Sequence, residues 1–156
     1  MNALAVEHKY FIYNIMTAKR LRLYSRLQTA AHRMKKTADK KLMEAAGITT
    51  AQAAALAVIE THGRATQKQV AQALSLNESA MTATVSRLKK LELIERSRRE
   101  IDGRMWHLEL TKKGKAALQA VEIPFDDINI TIDSLLGKDA LEDVALALKL
   151  LSDEFK

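Results

Sequence analysis

LELIERSRREIDGRMWHLELTKKG, residues 91–114, decides the architecture of this chain. It opens on the apolar end of a helix and runs into an arginine-rich segment. It then turns at Asp102-Gly103-Arg104 and returns through a segment of alternating character that ends at Thr111. Asp-Gly between two strand-like runs is a strong short-range hairpin signal, because glycine tolerates the positive φ of a tight hairpin turn. Side chains alternate across a strand, so Trp106, Leu108 and Leu110 share one face of the returning segment, and Met105, His107 and Glu109 share the other. On this pattern Trp106 is expected to anchor the hairpin on the helices behind it. The hairpin carries Arg96, Arg98, Arg99 and Arg104.

Upstream of the hairpin the spacing is helical. Residues 6–46 lack Pro and Gly and read as helix in two segments, with Gly47 as the stop. Thr49 and Gln52 then form a capping box for a helix over residues 50–62 that buries Ala53, Leu56 and Ile59. Thr66 and Gln69 repeat the arrangement for a short helix over residues 67–74. Ser75-Leu76-Asn77 makes a turn, and Asn77 caps a further helix over residues 78–92. Helix, short turn, helix is the helix-turn-helix unit, whose second helix enters the major groove of DNA. In that second helix Met81, Val85 and Leu88 recur at helical spacing and must face the core. The opposite face presents Ser79, Thr82, Ala83, Ser86, Arg87 and Lys90, none of them acidic. A basic hairpin directly after such a unit reads as the wing of a winged DNA-binding domain.

Downstream, Thr111 caps another helix, Pro124 should kink or restart it near Ile123, and Gly137 should end it. Asp139 with Glu142 is expected to cap a last helix with an apolar stripe of Leu141, Val144, Ala145, Leu148 and Leu151. The stripe is too long for a peripheral helix to bury alone. Together with the N-terminal helix it reads as a subunit interface.

Composition bounds the function. The 156 residues are 47% apolar, enough for an ordinary core. No apolar run approaches the roughly 18 residues of a membrane span, and the N-terminus lacks the pattern of a secretory signal. Cys is absent, which excludes disulfides, thiolate metal sites and cysteine redox switching. A cytoplasmic location fits. The net charge of +6 is unevenly distributed: residues 1–48 carry 10 basic and 3 acidic groups, residues 49–113 carry 11 and 7, and residues 114–156 carry 4 and 9. A basic body suits a polyanionic partner, since neutralising phosphates releases condensed counterions, but simple solubility charge accounts for the composition equally well. His8, His32, His62 and His107 are scattered without metal-ligand or nucleophile partners at a telling spacing. Five glycines form no phosphate-cradling loop. Catalytic residues, metal sites and cofactors are therefore not expected, and the chain does not read as an enzyme.

These residues together resemble the MarR (multiple antibiotic resistance regulator) family of winged helix-turn-helix transcription factors over nearly the full length. The markers are Gly47-Ile48-Thr49 with Gln52 and Leu56, Leu74-Ser75-Leu76, Arg87-Leu88 and Leu93-Ile94. Asp102-Gly103-Arg104 followed by Leu108-Glu109-Leu110-Thr111-Lys112-Lys113-Gly114 is the most specific. The chain departs from the family where it has Glu92 in place of a common Gly, and where it reads Arg99-Glu100-Ile101 in place of a wing-tip Pro. The resemblance implies a mainly α fold with a small β-hairpin wing: a winged helix-turn-helix plus a helical dimerisation region. It gives dimerisation helices over 1–48 and 114–156 and the DNA-binding domain over 49–113. The first twenty residues are longer than the family's usual first helix and suggest an additional helical element at the dimer interface.

The resemblance further implies a homodimer on double-stranded DNA, reading a palindrome with half-sites about one helical turn apart. Arg104 would enter the minor groove, where negative potential is concentrated, with Asp102 holding it in place; an exposed surface ion pair is the bland alternative. Arg98 and Arg99 lie on the same wing. Gln67, Lys68, Arg87 and Lys90 are expected as phosphate or sugar clamps, and Ser79, Thr82, Ala83 and Ser86 as base-edge readers. Repression relieved by a small aromatic or phenolic effector is also implied. Tyr13, Met16, Tyr24, His32 and Met34 fit either as walls of its pocket or as ordinary core packing. Two other classes stay open. The small, weakly specifying recognition face also permits a ligand-independent architectural or nucleoid-type DNA binder, and a protein-docking module is the third reading.

Overall fold

The computed structural model describes residues 22–98 and 106–155. In chain order they form α1 (Arg22–Ala46), α2 (Thr50–His62), β1 (Ala65–Thr66), α3 (Gln67–Ala73), α4 (Glu78–Lys90), β2 (Ile94–Arg98), β3 (Trp106–Leu110), α5 (Lys112–Ala120) and α6 (Glu122–Glu154). The chain divides into two compact units, Met1–Thr37 and Ala38–Lys156. The described part of the first is the start of α1, where Gln28 Nε2 donates to the Tyr24 hydroxyl one turn away at 2.6 Å. The additional N-terminal element expected before residue 22 lies outside the described residues.

The second unit holds the core. Leu42, Ile48, Leu56, Ile59, Val70, Met81, Val85, Leu88 and Leu108 are all essentially sealed from solvent. Local chemistry sets the element boundaries. Thr49 and Gln52 form the expected reciprocal capping box, and Thr66 and Gln69 form the second. Asn77 Oδ1 accepts from Ala80 N at 2.8 Å, and Thr111 Oγ1 accepts from Gly114 N at 3.0 Å. Each cap satisfies a donor that a helix start leaves without an intrahelical partner. Asp39 ties α1 to α2 by accepting from both Thr50 N and Thr50 Oγ1, at 2.8 and 2.6 Å.

Two helix ends adopt a conformation normally given to glycine. After α3 the chain turns left-handed at Ser75 (φ 51°), with Leu76 N donating to Ala71 O and Ser75 N donating to Gln72 O. After α4 it turns left-handed at Glu92 (φ 59°), with Leu93 N donating to Leu88 O and Glu92 N donating to Lys89 O. Both are complete Schellman motifs. Glu92 thus takes the left-handed backbone shape that glycine, the residue of the family pattern at this position, adopts without a Cβ penalty.

The sheet has the order β1-β3-β2, all antiparallel. The hairpin pair was expected; β1 was not, because two residues that also cap a helix carry no strand pattern. Ala65 lies opposite Leu108, and Ile94 lies opposite Leu110. Leu108 and Leu110 are buried as the alternation requires, but Trp106 on the same face is 46% exposed. It does not anchor the hairpin in the core. The last rung of β1 is Thr66 opposite His107, so at Trp106 the sheet has narrowed to two strands.

Pro124 is buried in the first turn of α6, where its missing N–H has no carbonyl to serve. The restart expected near Ile123 falls at Val121, which ends α5 and opens α6. Gly137 breaks α6 with φ 70° and ψ 168°, a region open essentially to glycine alone. Helical conformation resumes directly after it, ahead of the cap expected at Asp139.

Candidate nucleic-acid interface

α3 and α4 are joined by the turn at Ser75, and the amphipathic pattern of α4 sets which face it shows. Met81, Val85 and Leu88 are buried. Ser79, Thr82, Ala83, Ser86, Arg87 and Lys90 are all exposed, as is Lys68 on α3; Gln67 is half-buried. Among the described residues, Lys68, Arg87 and Lys90 form no ion pair within the chain. Their charge is therefore not offset locally by a carboxylate.

The root of the hairpin sits beside this face. Arg98 is the last described residue of β2, and Arg99, Asp102 and Arg104 lie outside the described residues, so the structure locates neither partner of the expected Asp102–Arg104 pair. Arg96, which the sequence reading placed on the hairpin without a role, is exposed and reaches across to Gln67: its Nη2 donates to Gln67 Oε1 at 3.4 Å. Gln67 Nε2 in turn donates to Thr82 Oγ1 at 2.8 Å. Three positions 29 residues apart in sequence at most are thus joined through one carboxamide. No periodic signal reveals this, because the contact depends on how β2 packs beside α3.

The acidic groups of the sheet are partly consumed inside the protein. Glu109 Oε1 meets Arg64 Nε at 2.9 Å and also accepts from the Ser97 hydroxyl. Glu92 pairs with Lys113 at 3.5 Å. Among the described residues no group of three or more His, Cys, Asp or Glu side chains is arranged to hold a metal ion.

A second feature lies away from this surface. An open cleft of about 510 Å³ is lined by Thr50, Ala53, Ala57 and Thr61 of α2, Leu118 and Val121 at the end of α5, and Phe125 of α6. Tyr24, His32 and Met34 are exposed on α1, and Tyr13 and Met16 lie outside the described residues.

A helix, a left-handed turn, a second helix with a polar outward face, and an antiparallel hairpin on a three-stranded sheet define a winged helix-turn-helix protein. The MarR family model matches residues 46–105, the stretch that holds both helices of this unit, the turn between them and β2. Solved structures extend the likeness over most of the chain. MepR of S. aureus in its DNA complex is 26% identical with a TM-score of 0.75, over 83% of this chain and 95% of MepR. A probable transcriptional regulator from Pseudomonas aeruginosa is 26% identical with a TM-score of 0.72, over 80% of this chain and 92% of its own. A MepR-like protein complexed with pseudoligands is 26% identical with a TM-score of 0.66, over 85% and 94% of the two chains. Comparison with curated protein sequences returns no match. Residues 46–105 thus match the MarR family of transcription regulators, and the fold is similar to that of solved transcription regulators.

Proposed function

We propose that this chain is a repressor that binds a palindromic operator as a homodimer and leaves it when a small-molecule effector binds. The observation that carries the DNA-binding half is the outward face of α4. It is polar, small and basic, its opposite face is buried, and the arginine-bearing hairpin begins beside it. Ser79, Thr82, Ala83 and Ser86 are assigned to base edges, with Thr82 and Ala83 able to meet a thymine methyl. Lys68, Arg87 and Lys90 are assigned to phosphates. Arg98 and Arg99 extend that contact along the hairpin, and Arg104, held by Asp102, takes the minor groove. One such helix offers few bidentate contacts, so specificity needs two copies on a two-fold axis. The related MepR complex with DNA supports this reading. Its place of action is the cytoplasm, with its DNA; no single helix among the described residues is long and apolar enough to cross a membrane.

The effector half rests on the cleft between α2, α5 and α6. Its volume falls in the range of roughly 300–1,000 Å³ typical of ligand pockets, and its walls are mainly alanine, leucine, valine and phenylalanine. That suits a small aromatic or phenolic molecule. The related MepR-like protein complexed with pseudoligands supports small-molecule binding by this fold. Release requires the effector to favour a spacing of the two winged domains that does not fit the operator.

Selection of bound genomic fragments at about physiological salt tests the first half. One recovered palindrome is expected; a diffuse pool with a steep salt dependence and no shared site would favour an architectural binder instead. Arg104→Ala should weaken operator binding by about tenfold or more with assembly unchanged, in line with the loss of a charge-assisted contact. Equal affinity of variant and parent would remove the minor-groove role.

A further inference from the structure

Arg96, Gln67 and Thr82 form a hydrogen-bonded relay whose direction is chemically determined. A guanidinium carries only donors. With Arg96 Nη2 against it at 3.4 Å, the Gln67 carboxamide turns its oxygen toward β2 and its NH₂ toward α4. The amide then donates to Thr82 Oγ1 at 2.8 Å. The opposite flip would set the NH₂ group against the donors of a cation.

Thr82 is handled differently from other helical threonines in the chain. Thr61, Thr84 and Thr131 each return their hydroxyl proton to the carbonyl four residues back, at 2.9, 2.9 and 2.8 Å. The Thr82 hydroxyl is engaged instead as an acceptor from Gln67, on the exposed face of α4. An O–H whose oxygen already accepts a hydrogen bond is polarised into a better donor and a poorer acceptor. Its proton is available to a partner outside the protein.

We propose that Gln67 is a specificity-positioning residue that holds the Thr82 hydroxyl as a donor. α4 then selects an acceptor edge at one base in each half-site: a purine N7, a guanine O6 or a thymine O4. It disfavours the amino group of cytosine at that base, because a donor there meets a donor. The assignment rests on the DNA-binding reading above, and it replaces the phosphate contact expected of Gln67. Both ends of the carboxamide are already engaged within the protein.

The test is selection from a randomised duplex library by the full chain, run in parallel for the parent, Gln67→Ala, Thr82→Val, the double variant and Gln67→Glu. Gln67→Ala should relax base preference at a single position per half-site by about fivefold, the worth of one neutral hydrogen bond. The other positions and the melting temperature should not change; the capping box that starts α3 uses Thr66 and Gln69, not Gln67. Thr82→Val should relax the same position, and adding Gln67→Ala to it should change nothing further. Gln67→Glu offers only acceptors, so it captures the hydroxyl proton and turns a lone pair toward the DNA. Preference at that one position should then shift toward cytosine.

A Gln67→Ala variant that weakens every duplex equally is a lost phosphate contact and overturns the relay, as does an unchanged base preference or an additive double variant. If the parent itself selects no shared site, the DNA-binding reading fails and the relay falls with it. The two failures are therefore told apart by the parent lane.

Discussion

Gly114 sits where two backbones come too close for any other residue. A Cβ there would lie 2.0 Å from the carbonyl oxygen of Leu93. That oxygen also accepts from Thr111 N at 3.1 Å, while Thr111 Oγ1 donates to Glu92 O at 2.7 Å. The start of α5 is thereby latched to the exit of α4, which gives a physical reason for the Thr111-Lys112-Lys113-Gly114 ending. Gly114→Ala must displace backbone rather than a flexible side chain. We expect a loss of about 2–3 kcal/mol, as for overpacking in a tight core, read as a lower denaturation midpoint at fixed protein concentration. Ser75 and Glu92 present the opposite case. Left-handed geometry costs a non-glycine residue about 1–2 kcal/mol, offset in part by the greater unfolded-state freedom of glycine. Ser75→Gly and Glu92→Gly should therefore each stabilise by about 0.5–1 kcal/mol in the same assay; a destabilised variant would show that the side chain carries a compensating contact.

The helix-turn-helix and the hairpin acquire their function as elements through what they leave uncovered. α4 commits its apolar stripe to the core, which leaves the small side chains of Ser79, Ala83 and Ser86 to face outward. Close approach to DNA needs that smallness as well as the flanking charge of Arg87 and Lys90. Ala83→Glu should thus abolish operator binding, by about 100-fold or more, because an unpaired carboxylate would be buried against phosphates and base edges. Its thermal melt should match the parent, since position 83 is exposed. Fluorescence anisotropy on a selected duplex checks this, and undiminished affinity would remove α4 as the reading helix. Much at this scale was legible in the sequence. The four caps at Thr49, Thr66, Asn77 and Thr111, the burial of Met81, Val85 and Leu88, and the pairing of the two hairpin strands all depend on residues a few positions apart. β1 and the exposure of Trp106 were not legible. A two-residue strand has no period, and whether an aromatic at a strand end is covered depends on where a distant strand stops.

For the whole molecule, the exposed apolar side chains from the middle of α6 to just past its end are the conspicuous surface. Leu135, Leu146, Leu150 and Phe155 are 78, 59, 62 and 81% exposed, and Val144 and Leu148 also face solvent. An apolar surface of this extent is a signature of an interaction site. It fits the dimerisation role proposed for residues 114–156. Leu146 and Leu150 lie one turn apart on one face, so a Leu146→Glu, Leu150→Glu pair would set two carboxylates in a subunit interface. Sedimentation at micromolar concentration should show monomers, and operator affinity should fall with loss of the second half-site. A dimer that persists would move the interface elsewhere.

Sequence alone determined what short-range chemistry controls. Capping side chains act over three residues, and helical and strand periodicity over four to seven; each of these forces operates wherever those residues stand. Even with Glu92 where the family pattern has glycine, the left-handed turn forms, held by the two Schellman hydrogen bonds and the buried Leu88 and Leu93. Tertiary structure alone decided the contacts between elements far apart in the chain. It set Gly114 against the Leu93 carbonyl, Arg64 against Glu109, and the Gln67 carboxamide between Arg96 and Thr82. Such contacts depend on the relative placement of packed elements to within an ångström, and no pattern along one element encodes that distance.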